Sequence, residues 1–314
     1  VICLNCSDSK YSNVTHSDFG FYFMGGDNLT LENTTIADSD PHHTGVRALF
    51  VTNLTITNAT IHRSNNDAIE LLGVSDGYLA DVNITAGSGF FTHNAEGASY
   101  LWATDMIYED IALDISGTYG VGMRGPPIRS TVDGLLVTSD DCRSDGLGGL
   151  LSFIGYNNDY VVSNFNITST DAGCPCVKLY NRYQSANDNR SFINGSLSCS
   201  GGDLEFDYAS ARVNFTNVTH VSKSFSDSGS LNASFFDFVD VNVTNATGDM
   251  LVGVAVNATD KDGLLRDSVM TDGSNLSRLI VLKERYVGGS LGQYNNYTIN
   301  ASHPWYYSNW TTVN

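Results

Sequence analysis

Positive charge is scarce in this chain. Lys and Arg number 16 against 34 Asp and Glu, a formal net charge of −18, so the clustered cations that a nucleic-acid surface needs are missing. The same deficit argues against docking on anionic lipid. No run approaches the ~18 apolar residues of a transmembrane helix. Apolar positions spaced three and four apart over a dozen residues are also lacking, which excludes a helical solenoid. The opening Val1-Ile2-Cys3-Leu4-Asn5-Cys6 has neither a starting Met nor the layout of a signal peptide, so the sequence reads as a processed, soluble, mature form.

What is present is repetition. Asn28-Leu29-Thr30-Leu31-Glu32-Asn33-Thr34-Thr35-Ile36 returns 25 residues later as Asn53-Leu54-Thr55-Ile56-Thr57-Asn58-Ala59-Thr60-Ile61, and Asn83 falls a further 25 residues on from Asn58. A fixed period in the twenties carried by short β-prone segments marks a solenoid. In Asn53-Leu54-Thr55-Ile56 the two apolar side chains point one way and Asn53 and Thr55 the other, which puts Asn53 on an outer wall.

Cut on that pattern, the chain pairs short apolar strands with second β segments: 19–23 with 28–36, 48–51 with 53–61, 69–72 with 78–85 and 100–102 with 107–115. The series runs on less regularly through openings at 121, 150, 177, 204, 235, 251 and 279. That makes roughly eleven coils of about 20 to 30 residues. The Leu-x-x-Leu-x-Leu consensus of a leucine-rich repeat is missing, and a propeller would need four strands in ~40 to 45 residues. Over about 19–300 the strand pattern resembles the right-handed parallel β-helix superfamily, the pectin-lyase-like fold of polysaccharide lyases, polygalacturonases, phage tailspikes and cell-surface repeat proteins. Eleven coils stacked at ~4.8 Å would make an all-β rod of about 50 Å. The expected organisation is an N-terminal cap or joining segment at 1–18, a β-helix over 19–302, and an aromatic C-terminal cap or intersubunit segment at 303–314.

The same segments carry Asn-x-Ser/Thr acceptors, 20 in all: Asn5, Asn13, Asn28, Asn33, Asn53, Asn58, Asn83, Asn166, Asn189, Asn194, Asn214, Asn217, Asn232, Asn242, Asn245, Asn257, Asn275, Asn296, Asn300 and Asn309. At this density they point to an exported, heavily N-glycosylated surface protein. For Asn33, Asn58 and Asn83 two readings stand, a glycan or a buried asparagine ladder along the stack. Cys142, Cys174 and Cys199 each follow the second strand of consecutive coils, close to disulfide reach. Cys142 with Cys174 and Cys176 with Cys199 are the expected pairs, in an oxidising compartment. Cys3 and Cys6 are left to each other or to a neighbouring subunit.

Chemistry is harder to assemble. Asn65-Asn66-Asp67 and Ser139-Asp140-Asp141-Cys142 look like parts of the polygalacturonase carboxylate cluster, but they lie about three coils apart and the family's Gly-His-Gly and Arg-Ile-Lys do not occur. A glycosidase needs two carboxylates within roughly 5 to 10 Å, so Asp67, Asp140 and Asp141 remain weak catalytic candidates. Arg124, Arg143 and Arg182 are lyase candidates by type alone, and His42, His43, His62 and His93 fall near neighbouring corners without a ligand pattern. No metal site is assigned. Calcium is the one cofactor left open, at acidic turns such as Asp260-Lys261-Asp262-Gly263, which lacks the rest of an EF-hand loop.

The sequence therefore reads as a non-enzymatic extracellular structural protein, a self-assembling subunit of a cell-surface layer, sheath or filament whose partners are copies of itself and covalent N-glycans. The alternative is a secreted carbohydrate-active enzyme, a glycan-binding adhesin or a viral spike. Intact glycopeptide mass spectrometry of native protein is expected to find most of the 20 acceptors occupied; a mostly bare set would remove the surface-glycoprotein reading.

Overall fold

The computed structural model describes residues 1–16, 20–37, 44–62, 67–86, 88–91, 103–117, 123–124, 129–142, 149–154, 159–180, 189–207, 212–225, 231–272, 276–294, 296–304 and 306–313. Strands alternate between two sheets. The first holds ten parallel strands, beginning Ile2–Leu4, Phe21–Met24, Val46–Leu49 and Asp67–Leu72 and ending Val177–Tyr180, Leu204–Asp207 and Lys223–Phe225. The second takes the intervening segments, from Lys10–Ser12, Asp27–Ala37, Thr52–His62 and Tyr78–Ala86 to Arg212–Thr219 and Asn232–Val241, again in parallel.

The long second-sheet strands are bent, and one residue type bends them. In Thr52–His62 the core-facing side chains are Leu54 and Ile56, then Ala59 and Ile61, so the period-two alternation skips a beat at Asn58. Asn58 sits at φ 49°, in the left-handed region, where a side chain other than Asn, Asp or Gly costs about 1–2 kcal/mol. The turn lets both arms of one strand face the same core. Asn33, Asp81, Asp110, Asn164, Asn194 and Asn217 hold the same conformation in neighbouring strands, and Gly134 takes the place once. A β-carbon at Gly134 would stand 2.4 Å from the Asp110 carboxylate.

Five residues before the bends from Asn13 to Gly134 lies a second left-handed column: Asp8, Asn28, Asn53, Asp76, Asp105 and Arg129. Amide side chains tie both columns together. Asn53 Nδ2 donates to Asn28 Oδ1 at 2.6 Å, Asn28 Nδ2 to Asp8 at 2.8 Å, Asn58 Nδ2 to Asn33 Oδ1 at 2.7 Å, and Asn217 Nδ2 to Asn194 Oδ1 at 2.9 Å. These ladders are exposed, so the ladder, one of the two readings open for Asn33 and Asn58, forms without burying the asparagines. Asn83 does not belong to one: Asp81 takes the rung above Asn58, and Asn83 pairs with Thr60 and Ala112.

Inside, aligned side chains fill the core. Phe192, Phe215 and Phe235 stack at 4.8 and 4.9 Å, and Phe206, Phe225 and Tyr286 at 4.9 and 4.1 Å. Tyr286 ends the second stack from the antiparallel strand Ser277–Val287, which pairs along Asn232–Val241 and is followed by Ser290–Gln293. Lys223 ion-pairs with Glu284 over the Phe235 ring. The C-terminal end of the stack is thus closed by strands of opposite direction.

Three expectations change as a result. Residues 1–16 add strands to both sheets instead of forming a separate cap, since Ile2–Leu4 pairs with Phe21–Met24 and Lys10–Ser12 with Asp27–Ala37. Among the described residues parallel stacking stops at Asn232–Val241, short of the end at 302 expected for the β-helix. Beyond it, Leu265–Met270, Ala255–Thr259, Tyr297–His303 and Tyr306–Val313 form a separate antiparallel sheet over a second core of Val254, Val256, Ala258, Leu279, Val281, Tyr297 and Ile299. The aromatic tail is therefore an edge strand of that sheet.

If the bend at residue 58 requires the left-handed conformation, Asn58→Ala is expected to cost about 1–2 kcal/mol and Asn58→Gly distinctly less, as measured by urea unfolding. An Ala variant more stable than the Gly variant would show that the backbone at this position is not what Asn supplies.

Candidate functional site

Two outward surfaces bring polar chemistry into register. On the first sheet one outward residue from each of several short strands forms a column: Tyr22 beside Arg47, Arg47 beside Glu70, and further along Ser152 beside Lys178 beside Glu205. Opposite charges in adjacent strands pair at once. Arg47 Nε lies 2.7 Å from Glu70 and Lys178 Nζ 2.8 Å from Glu205. The Lys178 side chain is only 6% exposed although it points away from the core, because the backbone at Gly149 lies over it; a β-carbon there would come within 3.0 Å of Lys178 Cβ. Arg47 and Lys178 are thus committed to carboxylates within the wall.

The second surface is a groove of about 640 Å³ beyond the second sheet's far arm. Asp114, Thr138, Thr168 and Ser198 stand in one register column along its wall, one residue per strand spacing of ~4.8 Å. Thr138 Oγ1 donates to Asp114 at 3.2 Å. Thr170, Ser200 and Ser222 extend the hydroxyl lining, and Asp140 and Asp203 add carboxylates. Asp203 is engaged by the backbone, its carboxylate accepting the N–H of Cys199 and of Ser222, each at 2.9 Å, and that of Val221. The carboxylate thus satisfies three backbone N–H groups of two neighbouring corners. Among the described lining residues none is Lys or Arg.

The family model described as the right handed beta helix region matches residues 1–110. Those residues, about a third of the chain, are similar to right-handed β-helix proteins, and the parallel sheets carry the same arrangement on to Asn232–Val241. Two solved β-helix structures are similar at 10% identity. The Siphovirus 9NA tailspike receptor binding domain is matched over 96% of this chain and 72% of its own, with a TM-score of 0.37. A tailspike protein mutant of E. coli bacteriophage HK620 is matched over 96% and 79%, with a TM-score of 0.29. Scores this low carry no argument about function. No curated protein matches by sequence.

The β-helix scatters the weak catalytic candidates. Asp67 opens a first-sheet strand beside Ser88, whereas Asp140 and Asp141 end the second-sheet strand Ser130–Cys142. Asp140 is the extra residue of a bulge, falling between the pairs Ile115 with Ser139 and Ser116 with Asp141; it is exposed at the groove mouth. Arg124 lies on the first sheet beside Ser152, and His62 ends a second-sheet strand. His42, His43, His93, Arg143 and Arg182 lie outside the described residues. Cys176 is bonded to Cys199 with Cα atoms 5.5 Å apart, and Cys3 to Cys6 at 5.9 Å. Cys174 is disulfide-bonded, and the side chain of Cys142 lies outside the described residues.

Among the described residues no three His, Cys, Asp or Glu gather as a metal site. At the acidic turn, Asp260 accepts the backbone N–H of Leu264 and of Asp262 at 2.9 Å and the guanidinium of Arg266 at 2.7 Å. Those contacts, the Leu264 N–H foremost, hold its carboxyl below the usual carboxylate range. This carboxylate is spent on closing its own loop.

The charge column went unread in the sequence although a signal was there. Val-Arg-Ala-Leu, Ile-Glu-Leu-Leu, Val-Lys-Leu-Tyr and Leu-Glu-Phe-Asp each set a charge second, between two apolar residues, and the signs pair between neighbours. Breaking a fully buried ion pair costs about 3–5 kcal/mol, but the Glu205 side chain is 34% exposed. Glu205→Gln is therefore expected to lower stability by about 2 kcal/mol in urea unfolding, with most of it regained when Lys178→Met is added. A neutral single variant would mean that Glu205 does not stabilise the covered lysine.

Proposed function

We propose that this protein is an extracellular β-helix that binds a neutral glycan along its outer groove, acting as an adhesin or spike without cleaving its ligand. The observation that supports it is the in-register column Asp114, Thr138, Thr168 and Ser198. A pyranose chain laid along the stack would meet one hydroxyl or carboxylate per strand spacing, close to one per sugar ring. Absence of Lys and Arg from the described lining, with a net charge of −18, disfavours an acidic polysaccharide.

A second reading, a structural subunit of a cell-surface layer or sheath, draws on the acceptors. Every described acceptor Asn is exposed or half-buried; Asn275 lies outside the described residues. In the ladders Nδ2 of Asn28, Asn53, Asn58 and Asn217 gives one hydrogen to its neighbour, which leaves the other for a sugar. A filament grown by strand templating loses its template at the C-terminal end, where the antiparallel strand Ser277–Val287 covers Asn232–Val241. The adhesin reading does not need that edge.

A glycan microarray probed with the full chain tests the groove. Binding to neutral oligosaccharides is expected, with Thr168→Val/Ser198→Ala weakening it about tenfold, as loss of two hydrogen bonds of about 0.5–1.5 kcal/mol each implies. Binding confined to acidic glycans, or unchanged in the double variant, would overturn the assignment.

A further inference from the structure

The C-terminal antiparallel sheet holds a cleft that the groove reading does not use. Its volume is about 770 Å³, inside the ~300–1,000 Å³ usual for small-ligand sites. Val254 and Ile299, both from the second core, form its floor. Asn242, Thr244 and His303 supply amide, hydroxyl and imidazole on the walls, and Trp310 stands at the rim. Trp310 is 70% exposed on the edge strand Tyr306–Val313, where it faces Asn300, and its backbone N–H is held by Asn309 Oδ1 at 2.9 Å.

An indole left in water over a polar-walled, apolar-floored cleft calls for a ligand with one apolar face and a polar edge. A pyranose ring has that shape: its C–H face stacks on an aromatic while its hydroxyls reach amides and hydroxyls. Among the described lining residues there is no Asp, Glu, Lys or Arg, so no charge is present to recognise a charged sugar. We propose that this cleft binds a neutral saccharide stacked on Trp310, at a site separate from the groove. The sugar has two sources, an external glycan or the chain's own N-glycan, since Asn242, Asn245 and Asn309 are all acceptors at the cleft.

The test is tryptophan fluorescence of the full chain, with Trp310→Ala as reference, before and after enzymatic removal of N-glycans. The ligands are glucose, galactose, mannose, N-acetylglucosamine, its β-1,4 dimer, and galacturonate. Expected is a saturable change with at least one neutral sugar in the deglycosylated protein, about tenfold weaker or absent in Trp310→Ala. A response only after deglycosylation supports the proposal with the chain's own glycan as occupant, and a response in both forms supports it with an external one. No saturable response to any of the neutral sugars in the deglycosylated protein, an equal response in Trp310→Ala, or a preference for galacturonate overturns it. Microarray binding that falls with Thr168→Val/Ser198→Ala yet persists in Trp310→Ala reports on the groove alone, so either site can fail without the other.

Discussion

The left-handed bend is the constraint on which the stack depends. A straight eleven-residue strand would send its apolar side chains to one face over its whole length, and that face could line only one wall. By skipping one beat at Asn58, the strand Thr52–His62 places Leu54 and Ile56 on one wall and Ala59 and Ile61 on the next. Few residues take that backbone cheaply. Asn and Asp do, and their side chains then stand on the outer corner at strand spacing, where an amide can donate to the rung below and accept from the rung above. Backbone tolerance and ladder bonding therefore select the same residue type at the same place. The two ladders at Asn28/Asn53 and Asn33/Asn58 are that double selection made visible.

The same logic explains the bounds of the stack. Each parallel layer leaves an open row of backbone donors and acceptors for the next, so the array needs something of different geometry to stop it. Ser277–Val287 does this by running antiparallel to Asn232–Val241, and its Tyr286 closes the aromatic column that began at Phe206. Once the strand has turned back, its first half serves a second core with Leu279 and Val281. One strand thus terminates the β-helix and founds the module that follows it.

How much of this could be read from the letters follows from what is periodic. Leu54, Ile56 and Ile61 gave the coil because inward positions recur with the bend. The fixed period of 25 was the weaker guide: rungs are 20 residues apart from Asp8 to Asn28, 25 from Asn28 to Asn53, 30 from Asn164 to Asn194 and 23 from Asn194 to Asn217. Loops change length while the five-residue interval between the two columns holds from Asp8 and Asn13 to Arg129 and Gly134. Projecting a constant 25 therefore landed on Asn83, two residues past the rung at Asp81. The C-terminal segments were misread for another reason. A strand such as Ala255–Thr259 alternates as a parallel one does, and direction is fixed by its partners, which period-two patterning does not encode.

The polar surfaces differ from the core in what decides them. Arg47 with Glu70 and Lys178 with Glu205 are set by register, and each pair cancels its own charge. Charge that is cancelled within the wall is not available to a ligand, so the wall's basic residues contribute to holding layers together. What remains toward solvent in the groove is a column of hydroxyls with carboxylates at Asp114 and Asp140. A column of that kind discriminates by hydrogen-bond spacing and by repelling anions. Under the proposed reading both effects favour a long neutral chain over an acidic one, and the spacing follows from strands stacked in one direction at one interval.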